Sequence, residues 1–204
     1  MLATGPPGRA SLSQTKGSSM TTVDKDTANW RLYGGGGLLV GGLLWLVGLI
    51  LSGVANMPDV GRWVIVIGVV VVAIGFLLVA WGQTGSNGAV GNNMMGKVAL
   101  WAAALGFLAW ALLPLFSIGG EWLGWLVLVL VGLGSLIAAV IIMQKGVARG
   151  LAKWMMFLVA IVAIVFFLGS YGVLAMGADV LAILGYVFAV VVALTGLTYV
   201  LNKK

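Results

Sequence analysis

Three carboxylates stand at nearly regular intervals and are the first candidates for chemistry in this chain. Asp59, Glu121 and Asp179 are separated by 62 and 58 residues, and each directly precedes an apolar stretch. They could form an outward-facing acidic ring that attracts cations. Alternatively, each could stabilise the N-terminus of the following helix, where the helix dipole favours negative charge. We favour the second interpretation because each acid lies just ahead of a predicted span.

The remaining catalytic repertoire is small. The chain has no cysteine and no histidine, which excludes disulfides, thiolate nucleophiles and Cys/His metal sites. No side chain has an unperturbed pKa between about 5 and 8. An ionisable residue in mid-membrane would be a candidate functional site, but the predicted spans contain none. The sequence therefore predicts no enzyme activity, no cofactor and no metal.

The composition indicates that most of this chain is surrounded by lipid. Hydrophobic residues make up 62% of its 204 residues and charged residues only 8%, against about 25% charged in a typical soluble domain. In lipid each backbone polar group must be satisfied within the protein, and helices achieve this within one segment. We therefore predict an all-α integral membrane protein.

Six apolar stretches are long enough to cross a bilayer as helices. We predict a disordered polar cytoplasmic tail over residues 1–29, with Met20 as an alternative translation start, and a transmembrane domain over residues 30–204. The predicted spans are 36–54, 63–81, 98–116, 122–143, 154–176 and 180–201.

Short connections group the six spans into three tandem helical hairpins. Sorting charges by side leaves only Arg62, of the 11 Lys and Arg, opposite the termini. Because basic residues collect on the cytoplasmic side, both termini should be cytoplasmic. The basic loop with Lys145, Arg149 and Lys153 fits the same rule. These three charges are fewer than the 4–8 of a lipid-recognition cluster.

Small residues recur at intervals that allow helices to pack closely. Lipid provides no hydrophobic drive between helices, so small side chains commonly mark helix contacts. These contacts could lie within the bundle or face a partner protein. We also expect Trp45 and Trp110, which lie deep in their spans, to pack between helices. The predicted helix-packing positions are Gly37 and Gly41, Gly134 and Ala138, and Gly185, Ala189 and Ala193.

The hairpin number and the stretch from Gly124 to Gly132, Gly-Trp-Leu-Val-Leu-Val-Leu-Val-Gly, carry a family resemblance. Over residues 36–201 the chain resembles the HdeD-like family of small six-span bacterial membrane proteins, built from two-helix repeats. The resemblance implies a role connected with acid-stress tolerance. It assigns no functional residue.

These observations predict a multi-pass protein of the bacterial cytoplasmic (inner) membrane that is not an enzyme. Its leading function is structural, stress-related or accessory to a membrane complex. The alternative is a small transporter or channel that uses the outward acidic ring. The expected partners are membrane lipids and either a larger membrane complex or further copies of the chain. Nucleic acid is not expected, because the basic residues form no face with stacking aromatics.

Overall fold

A computed structural model describes residues 30–53, 55, 57–81, 88–145, 148 and 150–202. The predicted tail over residues 1–29 lies outside the described residues. Regular structure in the described residues is entirely helical, which confirms the all-α fold class. Six helices in this part of the chain are long and apolar enough to cross a membrane. They are α1 (Arg31–Gly53), α2 (Pro58–Trp81), α3 (Met94–Phe116), α4 (Glu121–Gln144), α5 (Ala152–Ser170) and α6 (Ala178–Leu201).

All six helices begin before the predicted spans, and in α2 and α3 a proline or a polar residue accounts for the earlier start. Helix α2 begins at Pro58, not at 63, since proline suits a first helical turn where its missing N–H is not needed. Helix α3 begins at Met94, not at 98. Its N-cap is Asn93, whose Oδ1 accepts a hydrogen bond from the Gly96 N–H at 2.9 Å.

Helix α5 ends at Ser170, earlier than the 176 predicted from hydropathy. Gly172 has a φ of 74°. Its N–H donates to the Gly169 carbonyl at 3.1 Å, and the Val173 N–H donates to the Leu168 carbonyl at 2.9 Å. This pair of bonds is the Schellman arrangement, in which a left-handed glycine closes a helix and satisfies its last carbonyls. The apolar residues that follow therefore form a turn.

The helices form a ring in chain order. Each helix contacts the next, and α6 returns to contact α1. The Arg31 Nε donates to the Tyr199 carbonyl at 3.4 Å, so the start of α1 and the end of α6 lie together. We call this the terminal end of the bundle. The far end carries residues 55, 57, 117–120 and 171–177.

Three helices depart from α geometry over part of their length. Helix α3 tightens to a 3-10 turn over Leu113–Phe116, which contains Pro114. Helix α4 widens to a π-helix over Leu128–Leu133, and a further π-helical turn, Trp30–Gly35, starts α1. Such departures interrupt the regular spacing of side chains along a helix face.

Candidate functional site: the aromatic centre and the far-end groove

The three predicted outer acids lie at the far end, in the first turns of α2, α4 and α6. Asp59, Glu121 and Asp179 are all exposed. The N-cap positions of α4 and α6 belong to Gly120 and Gly177, which make no side-chain cap hydrogen bond. The acids thus sit inside the first turns, where they can act on the helix dipole, and they are not N-caps. Among the described residues, no group of three acidic side chains is placed to hold a metal ion.

Aromatic side chains fill the middle of the helical ring. Trp45 from α1 lies 5.0 Å from Phe188 of α6 and 6.3 Å from Phe107 of α3, measured between ring centroids. Phe107 and Phe188 are 5.9 Å apart, although α3 and α6 are opposite each other in the ring. We call this cluster the aromatic centre. Its members are Trp45, Phe76, Phe107, Trp110, Phe166, Phe167 and Phe188.

The geometry of the aromatic centre is that of a packed core. Trp45 is 1% exposed, and Phe107 and Phe188 are fully buried. Most of the ring pairs are edge-to-face or tilted, the arrangements that the aromatic quadrupole favours. The centre contains no ionisable group. Its chemistry is therefore limited to packing and the exclusion of water.

The predicted glycines of α1 lie at its contact with α2. A Cβ added at Gly41 would stand 2.7 Å from both the Gly68 carbonyl and the Val72 amide, and one at Gly37 would stand 2.9 Å from the Gly75 Cα. These are backbone atoms, which cannot move aside as a flexible side chain can. Gly34, Gly41 and Gly48 are spaced by seven residues, as are Gly61, Gly68 and Gly75 on α2. The two helices therefore touch along a continuous glycine seam.

A second small-residue contact joins α1 to α6. A Cβ at Gly42 would lie 2.7 Å from the Ala193 amide and 3.0 Å from the Ala189 carbonyl. Ala189 is fully buried. Gly185 is less tightly packed, since its Cβ would be 3.7 Å from the Phe166 ring. The predicted small positions of α6 thus lie at contacts within the bundle.

The predicted small residues of α4 also lie at contacts between helices of the bundle. A Cβ at Gly134 would lie 2.7 Å from the Ala99 carbonyl of α3, and Ala138 is fully buried. The neighbouring Ser135 is also fully buried, and its Oγ has no hydrogen-bond partner among the described residues. This hydroxyl follows the π-helical segment directly, and its burial without a partner has no explanation in the packing.

The basic loop is only partly described. Lys145 ends the helical segment that follows the π-helix, while Arg149 lies outside the described residues. Lys153 is half-buried in the first turn of α5.

Lys97 is a basic residue whose environment the sequence did not indicate. It lies in the first turn of α3, is 6% exposed, and its Nζ stands 5.0 Å above the Trp81 ring centroid. An ammonium group over an indole face gains electrostatic stabilisation that grows as water is removed. The Trp81 ring also meets Trp101 edge-on at 6.4 Å. This contact fastens the end of α2 to the start of α3.

A groove opens at the far end between α1, α2 and α3. Its volume is about 260 Å³. Ser52 and Arg62 provide its polar groups, and its apolar walls include Val66 and Trp110. Gly61 allows α1 and α2 to come together beside the groove, because a Cβ there would collide with the Ser52 Oγ. The opposite wall belongs to the irregular last turn of α3.

The far end also carries a tyrosine that shows no catalytic arrangement. Tyr171 follows α5, stacks on Phe167 at 6.2 Å, and presses against Gly124 of α4. Burial raises the pKa of Tyr171 above its ordinary value. Its phenol is therefore still protonated at neutral pH, and it closes the α4–α5 contact as a packing group.

Comparison of the chain with protein-family models, with curated proteins and with solved structures gives no match. The class of protein that the fold defines is a multi-pass helical membrane protein, because its six helices have the length and hydropathy of membrane spans. The function must be argued from the arrangement of its residues alone.

Proposed function

We propose that this chain is a non-enzymatic structural or accessory protein of the bacterial cytoplasmic membrane. The observation that carries the proposal is the aromatic centre. Rings from opposite helices meet across the middle of the bundle, with Trp45, Phe107 and Phe188 at most 1% exposed. A tightly packed helical bundle of this kind suits a protein that is rigid in the membrane and binds other proteins through its outer surface.

The same observation separates this proposal from the transporter alternative. A path along the ring axis would have to pass through the position of the Trp45 and Phe107 side chains. Transporters usually bind their substrate at mid-membrane, between discontinuous helices and near polar groups. The polar groups of the far-end acids are exposed and lie in first turns. They do not line the aromatic centre.

We further propose three tandem hairpins with both termini in the cytoplasm. The charge asymmetry supports this orientation, since sorting the 11 basic residues by the predicted spans leaves only Arg62 opposite the termini. Single cysteines replacing Ser86 and Gly119 should be labelled from opposite sides of the membrane. The natural chain has no cysteine to interfere. Labelling from the same side would contradict the topology.

The partner surface follows from where the small residues lie. Gly41, Gly134 and Ala189 are engaged inside the bundle, so a partner would meet the outward-facing large side chains. Among these, Trp63, Trp122, Trp125 and Trp154 are each more than half exposed. Such aromatic residues sit at the membrane interfaces and also serve as contact anchors. A connection with acid stress rests on the HdeD-like resemblance.

The decisive experiment combines purification with a flux assay. Protein isolated from its native membrane in mild detergent should have a defined mass, with either a stoichiometric partner or additional copies of itself. Liposomes containing it should pass ions and small solutes no faster than empty liposomes. Flux that falls when Asp59, Glu121 and Asp179 are replaced by their amides would overturn the proposal and support a channel.

A further inference from the structure

The far-end groove combines one strong cation with apolar walls, a pairing that matches an amphiphile. Arg62 is exposed at the rim and makes no ion pair or hydrogen bond within the described part of the chain. Asp59, one turn earlier on α2, is exposed and is not paired with it. Ile65, Val66 and Ala111 supply an apolar wall, and Trp110 adds a half-buried ring.

The position of these residues near the helix ends fits a groove at the membrane interface. Arg62 is four residues after the start of α2 at Pro58, so at the α-helical rise it lies about 6 Å along the helix axis. Trp110 is six residues before the end of α3 at Phe116, about 9 Å from that end on the same basis. A ligand in the groove would thus have its head near the phosphate level and its tail toward the hydrocarbon.

The shape of the groove has a local cause in α3. Pro114 has no N–H to donate to the carbonyl of Trp110 four residues earlier, and the helix tightens to a 3-10 turn there. Gly61 has no side chain, so α2 can lie close to α1 at Ser52. Helix α2 therefore packs closely against α1 here, while the end of α3 is irregular. A space therefore remains between them.

We infer that this groove binds an anionic phospholipid, with the lipid phosphate on Arg62 and Ser52 and one acyl chain along Val66, Ala111 and Trp110. The guanidinium presents a planar fork of donors that matches phosphate oxygens, and the Ser52 hydroxyl adds a neutral donor. The volume of about 260 Å³ is just below the ~300–1,000 Å³ of pockets for drug-sized ligands. It suits a segment of one chain and not a bulky solute.

The inference goes beyond the proposed structural role and does not depend on it. If the orientation proposed above holds, the groove opens to the outer leaflet, where Arg62 departs from the usual cytoplasmic placement of basic residues. A bound lipid phosphate would account for this departure, because it supplies the ion-pair partner that Arg62 lacks among the described residues.

The test is native mass spectrometry of the full chain with phosphatidylglycerol and with phosphatidylcholine of the same acyl chains. Wild-type protein should retain one phosphatidylglycerol at least about tenfold more strongly, because the choline cation of phosphatidylcholine would neutralise the phosphate and stand beside Arg62. Arg62→Gln should abolish that preference, since charge-assisted hydrogen bonds contribute more than neutral ones. The matched control is Arg31→Gln, which removes a cation at the terminal end and should leave the preference intact.

A second variant tests the acyl-chain part of the groove. Ala111 is 8% exposed and lines the groove, so Ala111→Leu should occupy the chain position and weaken retention of both lipids. Circular dichroism and the thermal midpoint should match the wild type for Arg62→Gln, because Arg62 is exposed. Equal retention of the two lipids by wild type, or an equal loss in Arg31→Gln, would overturn the inference. So would Arg62-dependent retention of a free fatty acid in place of the phospholipid.

Discussion

The first and the third pairs of helices in this bundle hold together by opposite means. Helices α1 and α2 approach until backbone meets backbone, as at Gly41 and Gly68. Helices α5 and α6 are held apart by side chains: the ring centroids of Phe166 and Phe188 are 5.6 Å apart, and a Cβ at Gly169 would meet the ends of Leu181 and Met176.

This difference determines which changes each pair can tolerate. Along the glycine seam the first pair has no room for added atoms, because a new Cβ would collide with backbone that cannot rotate away. The third pair depends on filled volume, so it should be more sensitive to atoms that are removed. A protein core is close-packed, and both kinds of change disturb it. The comparison also shows that the regular spacing of the outer acids does not extend to the packing of successive helix pairs.

The largest expected effect comes from removing volume in the third pair. Phe188→Ala deletes a fully buried ring that contacts Trp45, Phe107 and Phe166. We expect a loss of about 3 kcal/mol, at the low end of the range for Phe→Ala, because in lipid the transfer term largely cancels. Unfolding in mixed SDS–detergent micelles measures it. Phe116→Ala, at a 72% exposed ring on α3, is the control and should be nearly neutral.

A smaller loss should follow from adding volume on the face that α6 presents to α1. Ala189 is fully buried and its carbonyl lies 3.0 Å from where a Gly42 Cβ would be. Ala189→Leu should destabilise the bundle by about 1–3 kcal/mol, the usual cost of overpacking. Val190→Leu, at the neighbouring exposed position, controls for side-chain size. Unchanged stability and assembly of Ala189→Leu would mean that α1 and α6 do not pack as described.

The first pair can be tested by a single methyl group. Gly41→Ala places a Cβ against the backbone of α2, whereas Gly36→Ala, in the same helix, meets nothing within 4 Å. Both replacements gain about 1 kcal/mol of helix propensity. Gly36→Ala should therefore stabilise the bundle slightly, and Gly41→Ala should reverse that gain through overpacking. Equal midpoints for the two variants in the same unfolding assay would contradict the glycine seam.

Much of this fold could be predicted from hydropathy and small-residue spacing, because both are local in sequence. The apolar lengths predicted six helices, and the depth of Trp45 in its span predicted its burial between helices. The end of α5 was misjudged because Val173, Leu174 and Met176 continue the apolar pattern. Gly172 was the available signal, since glycine commonly closes a helix in the left-handed conformation.

The candidate site was much less predictable, because its parts come together only in three dimensions. Arg62 and Trp110 belong to different helices, and no spacing rule joins them. The burial of Lys97 likewise depends on Trp81 arriving from the preceding helix. A basic residue beside a span resembles any other topological charge in the sequence. Only the packing of the helices shows which basic residue lies against an aromatic ring.

The smallest expected effect concerns the polar contact between α6 and α1, where one hydrogen bond can be removed while the packing is left unchanged. The Tyr186 hydroxyl donates to the Leu49 carbonyl at 3.1 Å. Tyr186→Phe removes that bond while keeping the ring, and hydrogen bonds between membrane helices are worth about 0.6 kcal/mol on average. The loss should therefore be several times smaller than that of Phe188→Ala. Thr198→Val, which removes a bond within the same helix, is the matched control. If Tyr186→Phe instead cost as much as Phe188→Ala, polar bonding and not side-chain volume would hold α6 in place.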